Sequence, residues 1–219
     1  MKKYDIALFD LDGTLSESGE GILFCLRRIF EETGRPLPEQ KILDTFIGPP
    51  MYDSLRRCGF SHEDAENGVD IYKRNFLEKG IYMQKVYEGV IPLLKKLKDA
   101  GVRLGVATTK YYPFAERIIK MLGLDEYFDF VGGATADTER RTKSKVINYT
   151  LEMMGAADGG RTVMIGDTKY DAEGAALSGV DFIGCLFGYG TRQEMEAYFK
   201  NAVFAQSPQE IYGLIIDAE

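Results

Sequence analysis

Tyr4-Asp5-Ile6-Ala7-Leu8-Phe9-Asp10-Leu11-Asp12-Gly13-Thr14 is the stretch on which the reading of this chain turns. A short apolar run, the length of a buried strand, ends abruptly in two carboxylates two residues apart. Once the pleat of the strand breaks, both can reach the same side of a turn. Gly13 lets the backbone bend there, and the Thr14 hydroxyl is expected to cap free amides in the turn. Such a pair suits Mg²⁺, a hard cation that takes oxygen ligands and keeps waters and substrate phosphates in its shell. It also suits a division of labour in which one carboxylate attacks and the other moves protons.

Working outward, residues 4–9, 102–108, 128–132, 161–166 and 180–187 are short, apolar and rich in Val, Ile and Phe, as buried parallel strands should be. Helical stripes separate them: Leu93, Leu94 and Leu97 after Pro92, then Phe114, Ile118, Met121 and Leu122, then Ile147, Leu151 and Met154. Each stops at a glycine, at Gly101, Gly123 and Gly155. Thr191 with Glu194 and Ser207 with Glu210 fit capping boxes. The alternation predicts βαβ units and an α/β fold, a three-layer Rossmann-like parallel sheet core. Residues 16–84 break it with four successive helical stripes, carried by Ile22–Thr33, Ile42–Phe46, Met51–Cys58 and Ala65–Phe76. The expected organisation is a core of residues 1–16 and 85–219 with an inserted all-helical cap at 17–84.

Composition narrows the function. With 219 residues and 45% hydrophobic content the chain can bury a real core. A net charge of −7 argues against a nucleic-acid polymer or a membrane surface as partner. No apolar run approaches the length of a membrane span. Three scattered cysteines without a C-x-x-C point to a cytoplasmic location and to neither disulfides nor zinc. One histidine, His62, rules out His-rich metal sites, and Ser61 ahead of it reads as a helix cap. No G-x-S-x-G elbow and no Walker A loop are present.

Ligands of open parallel sheets gather outside the carboxyl ends of the strands. Val106-Ala107 runs into Thr108-Thr109-Lys110, and Met164-Ile165-Gly166 into Asp167, with Asp171 four residues on. Asp10, Asp12, Thr108, Asp167 and Asp171 are thus expected to converge on one edge from three strands. Lys143 opens a helix, the end that cations ordinarily avoid. Lys145 is its rival. Gly188-Tyr189-Gly190 reads as plain turn chemistry.

In this order the residues resemble the haloacid dehalogenase-like hydrolase superfamily, in its branch with a helical cap after the first motif. The four motifs fall at Asp10–Thr14, Thr108, Lys143, and Asp167 with Asp171. Ile47-Gly48-Pro49-Pro50, Thr108-Thr109-Lys110 and Gly188-Tyr189-Gly190 are similar to phosphoglycolate-phosphatase-like and 5′-nucleotidase-like members. The chain departs from common patterns at Ser144, where many relatives have proline, and at Thr109, where phosphoglycolate phosphatases commonly carry asparagine.

The resemblance implies hydrolysis of a small-molecule phosphate ester through an aspartyl-phosphate. Asp10 would be the nucleophile and Asp12 the general acid and base. Asp10, the Asp12 carbonyl and Asp167 would hold Mg²⁺, with Asp171 as ligand or outer support, while Thr108, Thr109 and Lys143 bind the phosphoryl oxygens. Substrate choice is expected from Gly48, Pro49, Pro50, Tyr52 and Arg56 in the cap. Two alternatives share the motifs: a β-phosphoglucomutase-like phosphomutase and a receiver-type phosphoaspartate signalling domain.

Overall fold

All four residues of Ile6–Phe9 are buried, so this strand (β1) has protein on both faces. A strand with two buried faces belongs at the centre of a layered α/β fold. The computed structural model describes residues 2–136, 139–156 and 159–216. In chain order after β1 come β2 (Ser16–Glu17), α1 (Gly19–Glu32), α2 (Gln40–Asp44), α3 (Met51–Arg57), α4 (His62–Glu78), β3 (Lys85–Val86) and α5 (Val90–Asp99). Then follow β4 (Arg103–Tyr111), α6 (Tyr112–Met121), β5 (Phe130–Ala134), α7 (Lys143–Met153), β6 (Thr162–Gly166) and α8 (Lys169–Ser178). The chain finishes with β7 (Asp181–Cys185), α9 (Arg192–Glu196), β8 (Val203–Ala205) and α10 (Pro208–Ile215).

Six strands form a parallel sheet in the order β5-β4-β1-β6-β7-β8. The strands after β1 leave it in opposite directions, so the order reverses at β1 and opens a crevice beyond its carboxyl end. Phe9 lies opposite Val106 on β4 and Ile165 on β6. The next residue, Asp10, is therefore the first to clear the apolar layer. Ile6, Leu8, Met164 and Phe182 pack with Val146, Ile147 and Leu151 of α7 and Ala172 and Ala175 of α8 to form the core on one face.

The chain divides into two compact units, Met1–Ser16 with Val86–Glu219, and Glu17–Lys85. In the smaller one, Leu26, Ile29 and Phe30 of α1 close a separate apolar core with Leu43, Phe46, Leu55, Phe60, Ala65 and Ile71. The second expected stripe there yields only the five residues of α2, because Ile42 is exposed and Leu43 alone of the helix is buried. Phe46 enters the core from the turn that follows. Strand β8, absent from the sequence reading, pairs with β7 and forms the sheet edge. Ser207 caps α10 without a side-chain hydrogen bond, and Glu210 instead accepts from the Gln206 amide, so the second expected capping box does not form. The first does: Thr191 and Glu194 bond reciprocally. Among the described residues no helix is long and apolar enough to cross a membrane.

Candidate active site

Beyond the carboxyl ends of β1 and β6, Asp10, Asp167 and Asp171 each offer an oxygen within 4.8 Å of the others, and all three are buried. Among the described residues, the Lys143 ammonium faces them. Lys143 Nζ lies 2.7 Å from Asp10 Oδ1 and 2.6 Å from Asp171 Oδ1, and donates a hydrogen bond to the Ala107 carbonyl at 3.0 Å. Lys143 is the first residue of α7 and turns inward, whereas Lys145 is exposed. The unusual place of a lysine at a helix start is explained by these two carboxylates, whose attraction exceeds the unfavourable helix dipole.

Each carboxylate is oriented separately. Asp171 Oδ2 accepts from the Thr168 amide at 2.9 Å and the Thr168 hydroxyl at 2.7 Å, closing a capping box on α8. Asp167 Oδ1 accepts from the Thr14 hydroxyl at 3.2 Å, and its Oδ2 from the Tyr189 amide at 2.8 Å. Thr14 therefore serves a carboxylate, not the turn amides its spacing suggested. Nor is Gly188-Tyr189-Gly190 plain turn chemistry. A Cβ on Gly188 would sit 2.3 Å from Asp167 Cβ, so only glycine lets this turn close on the carboxylate. Gly13 has the same constraint from the opposite side, with φ +82° and a virtual Cβ 2.1 Å from Asp167 Oδ2.

Burial raises the Asp10 carboxyl to about 6; Lys143 opposes that rise and Asp171 adds to it. Burial, then repulsion from Asp171 and Asp10, pushes Asp167 well above the usual carboxylate range. Burial alone would lower Lys143, but Asp10 and Asp171 override it and keep the ammonium charged. Three buried carboxyl groups crowd around one ammonium, and Asp10 Oδ1 and Asp171 Oδ1 carry no aligned hydrogen bond. An all-oxygen, buried, anionic donor set of this kind fits a hard divalent cation.

Around this cluster stand the other expected residues. Asp12 is held by Lys110 Nζ at 2.9 and 3.1 Å from its two carboxylate oxygens, a partner the sequence reading did not assign. Thr108 is buried at the end of β4, and its hydroxyl accepts from the Lys110 amide at 3.2 Å. Thr109 follows it, half-buried. The remaining expected residues lie in the smaller unit. Gly48 has φ +108°, and Pro50 caps α3. Tyr52 shares a 2.6 Å hydrogen bond with His62 Nδ1, and Arg56 donates to the Phe60 carbonyl at 2.5 Å, which ties both side chains to their own unit.

This is the arrangement expected of one fold family, and the comparison with known proteins agrees: a profile described as haloacid dehalogenase-like hydrolase matches residues 7–185. The chain belongs to the haloacid dehalogenase-like hydrolase family. Among its curated relatives are the proteins named tyrosine-protein kinase PtkA of Mycobacterium tuberculosis, 37% identical over 185 residues. That match covers 84% of this chain but only 63% of the relative's length. A Pseudomonas aeruginosa protein named 5′-nucleotidase is 34% identical over 197 residues, covering 90% of this chain and 89% of its own. The crystal structure of a predicted phosphatase from Clostridium acetobutylicum superposes with a TM-score of 0.88 at 34% identity, over 97% of this chain and 98% of that one.

Proposed function

We propose that this protein is a Mg²⁺-dependent phosphomonoesterase that hydrolyses a small organic phosphate through an aspartyl-phosphate. The observation that carries the reading is the buried trio Asp10, Asp167 and Asp171, countered by Lys143 at the point where the strand order reverses. Clustering like charges out of water opposes folding, and such clusters are characteristic of functional sites. Asp10, Asp167 and the Asp12 carbonyl would hold Mg²⁺, with Asp171 completing or supporting the set. When bound, the ion supplies the positive charge that lets a carboxylate approach a phosphate dianion.

The chain's own groups divide the work. An Asp10 carboxylate oxygen attacks phosphorus as the ester P–O bond breaks, and Asp12 gives its proton to the departing alkoxide. Water then attacks the same phosphorus, passes its proton to Asp12, and the bond between Asp10 and phosphorus breaks to release inorganic phosphate. Lys143 and the Thr108 hydroxyl, with Thr109 beside it, hold phosphoryl oxygens and stabilise the charge that builds there. Choice of leaving group falls to the helical unit, inserted in the chain after Thr14, with Gly48, Pro49, Pro50, Tyr52 and Arg56 as its specificity residues.

Similarity to a 5′-nucleotidase supports a nucleotide-like substrate, and similarity to phosphoglycolate phosphatases supports a phosphoglycolate-like one. A second reading follows from the relatives named tyrosine-protein kinase, in which the phosphoryl group is passed to a tyrosine in place of water. Incubation with Mg²⁺ and a panel of nucleoside monophosphates, phosphoglycolate, sugar phosphates and ATP with a tyrosine peptide separates these outcomes. Inorganic phosphate is expected from a monoester in wild type and not in Asp10→Asn. An isomerised sugar phosphate, a stable phosphoprotein, or a phosphotyrosine would overturn the hydrolase reading.

A further inference from the structure

Lys110 has no part in the chemistry above, yet its ion pair with Asp12 is the most enclosed one outside the Lys143 cluster among the described residues. The two side chains are 6% and 13% exposed. The backbone makes a special arrangement to reach it. Thr108 lies opposite Gly133 of β5, but Tyr111, three residues on, lies opposite the very next residue, Ala134. Two extra residues therefore bulge from the ladder at Thr109 and Lys110, and bulges of this kind re-aim side chains next to active sites. The Lys110 amide bonds back to the Thr108 hydroxyl, fixing the bulge against a buried residue. From there the ammonium spans 98 positions of sequence and meets both oxygens of Asp12.

A lysine side chain loses more rotamer freedom on ordering than almost any other. Exposed ion pairs rarely repay such ordering. Here the pair is nearly buried, and holding both oxygens sets the rotation of the carboxylate as well as its position. The site thus carries two charge groups: Lys143 pairs with Asp10 and Asp171, and Lys110 pairs with Asp12.

We propose that Lys110 is the positioning residue of Asp12, holding its carboxyl group in the orientation from which it exchanges a proton with the leaving oxygen. This rests on Asp12 being the general acid of a phosphatase. Proton transfer needs the donor within hydrogen-bond reach of the leaving atom, so loss of orientation weakens acid catalysis without touching the attack by Asp10. The effect must then grow with the basicity of the leaving group, because a nitrophenolate departs with little protonation and an alkoxide does not.

The test measures kcat/KM of the Mg²⁺-loaded protein across aryl and alkyl phosphates of graded leaving-group basicity. Lys110→Met is expected to lose about 100-fold on alkyl phosphates but less than about tenfold on nitrophenyl phosphate, on the scale of a general acid's contribution. Lys110→Gln, which keeps a hydrogen-bond donor without charge, should fall between it and wild type, and carries the test if the Met variant does not fold. In an Asp12→Asn background, Lys110→Met should add no further dependence on the leaving group. Equal losses across the series, or a shallower dependence than wild type, would overturn the positioning role and leave the phosphatase reading standing. A wild-type protein that releases phosphate from none of the esters would overturn that reading itself.

Discussion

The two units of this molecule treat charge in opposite ways. In the helical unit the core around Leu26, Ile29, Phe30, Leu55 and Phe60 buries no charged side chain among the described residues, and ion pairs such as Arg28–Glu31, Arg35–Asp64 and Arg74–Glu32 lie on its surface. In the larger unit four carboxylates and two lysines gather at the carboxyl edge of the sheet, most of them buried. Apolar packing explains itself as stability. Buried charge does not, since well-packed hydrophobic residues of similar size would commonly serve stability as well or better. The difference teaches where to look: substitutions in one unit should register as stability, and in the other as activity.

The largest effect expected is from Asp10→Asn, which removes the proposed nucleophile and one of three crowded carboxylates. Turnover should fall on the order of 10⁴-fold or more, while the metal-free variant melts at or above the wild-type temperature. A variant that loses activity only in proportion to its folded fraction would erase the contrast between the units. Next, Phe60→Ala removes a fully enclosed ring that packs edge-on to Phe30, with the Arg35 guanidinium 4.1 Å from its centroid. Denaturant titration should report a loss of about 3–5 kcal/mol, the scale of a large-to-small change in a core.

Lys143→Ala should remove about 3 kcal/mol of transition-state stabilisation, the scale of losing one electrostatic stabiliser. The exposed Lys145→Ala should be near wild type, and the reverse result would reassign the motif. Smallest is the response to metal. At a Mg²⁺ concentration about 100 times its dissociation constant, thermal unfolding should show about 2.7 kcal/mol of added stability. With its pKa raised to about 6, metal-free folded Asp10 keeps a proton that the unfolded chain releases near its usual 3.8. Its contribution to metal-free stability is therefore full below that lower value and lost as pH rises through about 6. Magnesium needs the carboxylate, so the melting-temperature gap between Mg²⁺ and chelator should be widest above pH 6 and narrow below it.

Much of the larger unit was legible because the informative patterns are local. Apolar runs of strand length mark β1, β4, β5, β6 and β7, and the residue just past each run falls at the ligand-binding edge. Short elements were not legible: β8 has three residues, too few for a period, and α2 buries a single side chain. The carboxylates of the site are visible as types in sequence, but their partners are not. Thr14 meets Asp167 across 153 positions, and Lys110 meets Asp12 across 98. The role of Gly188 lies in what a methyl group would strike, which no spacing rule reports. Tyr52 and Arg56 satisfy an amphipathic helix pattern, yet their polar ends are engaged by His62 and by the Phe60 carbonyl, contacts set by the turn between α3 and α4.

Asp171 closes the first turn of α8 with one oxygen and faces Lys143 with the other. The amino-terminal turn of that helix and the reactive cluster are therefore one cooperative element. Any fluctuation that frays the helix also releases a carboxylate from the lysine, and any ligand that draws on Asp171 acts on the helix. The Thr168 amide, hidden from solvent behind that same carboxylate, is consequently a built-in gauge. Its hydrogen-exchange rate registers how tightly the reactive edge is assembled, with no substrate present and no turnover required.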